Sequence, residues 1–124
     1  MRRIMMRSKI HRATVTDVRV DYEGSITLDA DLMDTARILP HEQVHVLDVD
    51  NGERLITYAI PGPRGSGTVQ VNGAAARLVD RGHTIIVIAY AEYDEGELRG
   101  FAPRVIRVDE QNRPQSAGME TVAI

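Results

Sequence analysis

Cysteine and tryptophan are absent from this chain, phenylalanine occurs once, and lysine occurs once, at Lys9. Without cysteine there is no disulfide staple, no thiolate metal site and no cysteine nucleophile, a composition that fits a reducing cytoplasm. Only four histidines are present. His41 and His45 have helical spacing, but Pro40 and the β-rich run after them argue against a helix and so against zinc. Asp29, Asp31 and Asp34 lack the glycine turn and closing glutamate of a calcium loop. Gly62 to Gly67 lacks the Gly-Lys-Ser/Thr ending of a phosphate loop. No metal is expected. The longest apolar run, Ile85 to Ala91, is too short to span a bilayer. The basic start, Met1 to Lys9, is not followed by the apolar stretch of a secretory signal. A net charge of −3 gives no electrostatic case for nucleic acid or an anionic membrane. A soluble, cytoplasmic protein is expected.

What is present reads as one domain of short strands. The length of 124 residues suits a single core. Residues 8–18 alternate and are rich in β-branched side chains, which predicts a strand. Tyr22 to Ser25 falls in a turn or strand end, and Ile26 to Leu28 is a short strand. Asp29 to Leu39 reads as a helix with an Asp cap, a Leu32, Ala36, Leu39 stripe and a stop at Pro40. Val44 to Val49 and Arg54 to Ile60 are strands, and Asn51-Gly52 between them predicts a type I′ hairpin. Thr68 to Val71 is a strand, Asn72 to Val79 a short Ala-rich helix, and Thr84 to Ala91 a central strand buried on both faces. Glu92 to Gly100 reads as an acidic loop and Arg104 to Val108 as the last strand. The domain is expected over residues 1–111, with a disordered tail over 112–124. The pattern is mainly β and suggests a compact barrel with two short helices.

The most informative residues are Tyr22-Glu23-Gly24-Ser25. A serine hydroxyl can attack the carbonyl before it, turning the amide into an ester. Elimination and hydrolysis then leave a pyruvoyl group on a new N-terminus. Glycine suits the upstream position because it has no Cβ to block attack. Taken alone, Gly-Ser reads as a turn dipeptide. Here it sits among Lys9-Ile10-His11-Arg12, Asn51-Gly52-Glu53-Arg54, Thr57-Tyr58-Ala59 and Asn72-Gly73-Ala74-Ala75-Ala76. In that order and spacing the chain resembles the pyruvoyl-dependent aspartate 1-decarboxylases, from about Met5 to about Pro114.

The resemblance implies a double-psi β-barrel, a homotetramer, and cleavage into 1–24 and 25–124. It implies a covalent pyruvoyl cofactor made from Ser25, L-aspartate as substrate, and β-alanine for pantothenate as product. It makes Gly24, Ser25 and Thr57 the self-cleavage residues and Ser25 and Tyr58 the catalytic ones, Tyr58 as proton donor. It places substrate on Lys9, Arg54, Thr57 and Asn72-Gly73-Ala74-Ala75. Residue chemistry is compatible with these roles. An arginine fork grips a carboxylate, although an arginine opening a strand also suits a surface charge pair. Lys9 supplies a compact charge, although Arg-rich composition alone would leave a lone lysine. The helix opening at Asn72 would favour an anion, or be an ordinary capped start. Thr57 and Tyr58 point to opposite faces of one strand, so a single site uses both only if the strand twists or two subunits share it. Arg77, Gly82-His83 and Asp21 depart from the family pattern. A small binding module with an intact Gly-Ser bond is the alternative, and any maturation partner is left open.

Overall fold

The computed structural model describes residues 1–115 and the backbone of Gly118–Met119. The strands are β1 (Arg2–Thr14), β2 (Asp17–Arg19), β3 (Ser25–Asp29), β4 (Gln43–Asp48), β5 (Arg54–Gly62), β6 (Val69–Asn72), β7 (Thr84–Asp94), β8 (Arg104–Arg107) and β9 (Gly118–Met119). One helix, α1 (Ala30–Ala36), and one 3-10 turn (Gly73–Arg77) complete the described elements. The strands form one sheet in the order β2-β6-β3-β5-β4-β7-β1-β8-β9. Ile10, Ile26, Leu28, Val44, Val46, Val71, Val87 and Ile106 come from six of the strands, yet share one core cluster. The sheet therefore wraps its own core, the small barrel-like architecture expected. Its end strands are not paired with each other, so the barrel is open.

Several local expectations are corrected. β1 begins at Arg2, well before residue 8, because β7 reaches Asp94 to meet it. Arg2 and Arg3 pair with Glu92 and Glu95 at 3.6 and 3.0 Å, so charges rather than apolar alternation align this end. The first residues of the expected acidic loop thus belong to β7. α1 stops at Ala36 because Arg37 takes a left-handed φ of 57° and closes the helix. Leu39 then lies outside the stripe and is 70% exposed. The second helix is a five-residue 3-10 turn, too short for the α-helix dipole that the anion argument used. On β7, Ile85, Val87 and Ala89 are fully buried, whereas Ile86 and Tyr90 on the other face are only partly so. The expected tail falls largely on residues outside the described ones. Asn112 itself is buried, bonding Thr14 N and O and Gly67 O, so the packed body runs past 111.

The β4–β5 connection is not the two-residue type I′ hairpin. Only Gly52 has a positive φ (79°), and the loop is organised by Asp48 instead. Asp48 Oδ1 accepts from the N–H groups of Asp50 and Asn51, and Oδ2 meets His83 Nδ1 at 2.6 Å. Asp50 Oδ2 accepts from Thr84 N. Asp48, Asp50 and His83 bring ligand-type atoms within 4.8 Å of one another, but these bonds make the group a clamp between loop and β7. The Asp48 hydrogen bond, with Asp48, Asp50 and Asp80 charges, raises the His83 pKa above its ordinary value against the effect of burial. The His83 contribution to stability is then complete below the unfolded value of about 6.5. It is lost as pH rises through the raised folded value. Thermal unfolding should show this loss on the alkaline side, and His83→Asn should abolish that pH dependence. An unchanged profile in the variant would assign it elsewhere.

Candidate functional site

Strand register decides which candidates share a face. Lys9 pairs with Ile88, Ile88 with His45, and His45 with Ile56. Paired residues point the same way, so these four share one face. Arg54 and Tyr58 flank Ile56 at two-residue spacing on that face. Ile56 is 58% exposed, which marks it as the outer face of the barrel. Ile26 pairs with Ala59, so Ser25 lies beside Tyr58 at the next step. Lys9, Arg54, Tyr58 and Ser25 therefore lie on one outer face. Thr57 pairs with Val44, a core residue, and takes the opposite face. Alternation on a strand foretold that separation.

Ser25 opens β3 and is 1% exposed. Its Oγ donates to Glu23 O at 3.0 Å and accepts from Asn72 Nδ2 at 3.0 Å. The Oγ therefore reaches back past Gly24 to the Glu23 carbonyl. Asn72 is itself fixed. Its amide also donates to Thr27 Oγ1 at 2.9 Å, and its Oδ1 accepts from Gln70 Nε2 at 2.8 Å. Ser25 pairs with Asn72 and Thr27 with Gln70, so the network follows from the β3–β6 register. Thr27 and Gln70 were not singled out in the sequence. Two-residue spacing from Ser25 and Asn72 would have found them.

Gly73 adjoins this network for a steric reason. A Cβ there would lie 2.6 Å from Gly24 Cα and 2.8 Å from Gly24 N. Its φ is 78°, a conformation that favours glycine. Gly24 itself has open space where a Cβ would stand, with nothing within 4 Å. Ala74 is exposed, and Ala75 packs partly against the core.

The cationic residues differ in their engagements. Arg54 Nη1 lies 3.1 Å from His45 Nδ1, and among the described residues Arg54 forms no ion pair with a carboxylate. Lys9 is half-buried. Burial first, then the charges of Lys9, Arg107 and Arg12, hold the neighbouring His11 below the usual imidazole range. The Tyr58 ring lies 6.0 Å from that of His41. A cleft of about 730 Å³ lined by His11, Arg12, Arg107 and Gln115 contains none of the candidate residues. On the candidate face Arg54 and Ile56 are exposed, Lys9 and Tyr58 are half-buried, and Ser25 is buried.

A model of the aspartate decarboxylase family matches residues 1–115. The chain belongs to that family. It is 57% identical over 114 residues to an aspartate 1-decarboxylase of Thermoanaerobacter pseudethanolicus, covering 92% of this chain and 97% of the relative. It is 59% identical over 113 residues to an aspartate 1-decarboxylase of Moorella thermoacetica, covering 91% of this chain and 88% of the relative. The match spans the elements that bring Lys9, Ser25, Arg54, Tyr58 and Asn72 to the site.

Proposed function

We propose that this chain decarboxylates L-aspartate to β-alanine and carbon dioxide, using a pyruvoyl group made from its own Ser25. The family and both relatives support the reaction and its substrate. The observation that carries the self-processing is the Ser25 hydroxyl, buried and held by Asn72 beside the Gly24 peptide. Oγ attacks the Gly24 carbonyl carbon, and the peptide nitrogen leaves to become the amine of Ser25. The resulting ester loses the Gly24 carboxylate by elimination as Ser25 gives up its α proton. Hydrolysis of the dehydroalanine releases ammonia and leaves the new terminus. Asn72 holds the attacking oxygen, and Gly73 lets the Gly24 backbone approach.

The residues present fit that group: a preset hydroxyl, an uncrowded glycine before it, and cations on the same face. When formed, the pyruvoyl group supplies a ketone for the substrate amine and an electron sink for loss of carbon dioxide. Arg54 binds one substrate carboxylate through parallel N–H groups. Lys9 adds positive charge that favours the acidic substrate. Tyr58, beside Ser25, delivers the proton that replaces the lost carboxylate. Thr57 faces the other way within this chain, so its part in cleavage or substrate binding requires a twist or a second subunit. Asn72 to Ala75 border the cleavage bond, and their contribution to substrate binding comes through that turn. The open outer face, with Ile56 exposed, fits the homotetramer that the resemblance implies.

Mass analysis of purified protein tests the reading. The expected result is two fragments, with the piece from residue 25 lighter by one ammonia than simple hydrolysis would leave. A single intact mass in fully active protein would refute it. Tyr58→Phe is expected to process normally and to lose turnover by roughly a hundredfold or more, the contribution of a positioned general acid. β-Alanine release per cleaved chain is the measurement. Parental turnover would remove Tyr58 from the proton transfer.

A further inference from the structure

We propose that His45 is a positioning residue for Arg54, setting the guanidinium for the substrate carboxylate. The inference rests on Arg54 being that carboxylate's handle. His45 pairs with Ile56, and Arg54 pairs with Leu47, so the two side chains are diagonal neighbours on the outer face. Arg54 Nη1 is 3.1 Å from His45 Nδ1. A guanidinium can only donate, so Nδ1 accepts and the imidazole proton sits on Nε2.

The imidazole is itself braced. Its ring meets Tyr90 edge-on, with centroids 4.8 Å apart and planes at 72°. Tyr90 is fixed on β7, which pairs with β4 from Asp48 back to His45. The contact therefore links a long, rotatable arginine to a ring held by the neighbouring strand. Among the described residues this is the only side-chain hydrogen bond of Arg54, so Nη2 and Nε remain for a two-point grip. Glu92, the acid on the cleft that His45 and Tyr90 also line, is paired with Arg2. His45 thus holds Arg54 without neutralising it, which a carboxylate at position 45 would do.

The test uses mature, cleaved protein and two readouts: steady-state kinetics with L-aspartate, and calorimetric binding of succinate, a dicarboxylate without an amine. His45→Ala should cleave fully, retain its kcat, and raise both the aspartate KM and the succinate Kd roughly two- to tenfold, the cost of leaving one long side chain unordered. His45→Asn should restore both, because its amide oxygen can stand where Nδ1 stood. His45→Leu keeps apolar bulk against Tyr90 and should behave as His45→Ala, which covers a folding defect in the latter. In an Arg54→Ala background, His45→Ala should add nothing. Parental KM and Kd in both His45→Ala and His45→Leu would overturn the proposal, as would failure of His45→Asn to restore binding, or an additive effect without Arg54. Parental kinetics in Arg54→Ala would instead remove the handle itself, and the two failures are separate.

Discussion

Ser25→Ala protein is expected to stay a single uncut chain, folded and without decarboxylase activity. Both bond-breaking steps at Gly24-Ser25 need the Ser25 β-oxygen, first to form the ester and then to depart with the Gly24 acyl group. The Ser25 hydroxyl is held at that turn by Glu23 O and Asn72 Nδ2. The substitution removes one oxygen from a site that is 1% exposed. Asn72 Nδ2 then loses one acceptor but keeps Thr27 Oγ1. The stability cost should be about 1–3 kcal/mol, as for a buried donor left partly unsatisfied. Circular dichroism and thermal unfolding would confirm the fold, mass the intact chain, and β-alanine release the lost activity. Normal activity in this variant would end the pyruvoyl reading altogether.

Gly73→Ala should arrest maturation although Gly73 carries no chemistry. The added methyl would fall 2.6 Å from Gly24 Cα and 3.2 Å from Tyr22 O, and both neighbours are backbone that cannot rotate away. The left-handed φ of 78° adds strain for any residue with a Cβ, of about 1–3 kcal/mol. The Gly24 peptide must shift, and with it the approach of Ser25 Oγ to the carbonyl. The expected outcome is folded protein that remains almost wholly uncut and inactive in proportion. Gly24→Ala is the informative comparison, since a methyl there meets nothing within 4 Å. If Gly73→Ala cleaved at the parental rate while Gly24→Ala did not, Gly73 would have no steric part in processing.

The strands were legible because β-branched residues alternate along them, and the Gly-Ser turn was legible from its neighbours. The errors have physical sources. The start of β1 was missed because Arg2 and Arg3 carry no apolar rhythm. Their partners are acids more than eighty residues away, Glu92 in β7 and Glu95 just past its end, a pairing that no local window can hold. Asn51-Gly52 misled because Asp48, outside the dipeptide, supplies the acceptors that shape the loop. The Ala-rich helix became a 3-10 turn because Gly73 must lie on Gly24, a tertiary contact that outweighs helix propensity. At the site, alternation correctly separated Thr57 from Tyr58. It could not show that Lys9, Arg54 and Ser25 share a face, since that depends on registers across five strands. Nor could it reveal His45 beside Arg54, nine residues away in sequence and across a loop.

The position of the proposed cleavage bond also sets how many molecules must meet for the cut protein to refold. Ser25 opens β3, so a cut after Gly24 frees a segment carrying only β1 and β2. That segment is not peripheral. β1 lies between β7 and β8, paired with β7 from Arg2↔Asp94 to Thr14↔Thr84, and β2 pairs with β6. After such a cut the two pieces are expected to remain one body, because the hydrogen bonds and core burial between them do not depend on the covalent link. Unfolding, however, also separates them. Refolding of cut protein then becomes an association whose rate scales with concentration, whereas the first folding of the uncut precursor is unimolecular up to subunit assembly. On the proposed processing, the chain builds its barrel while the two segments are still tethered, and only afterwards gives up the tether that made the search easy.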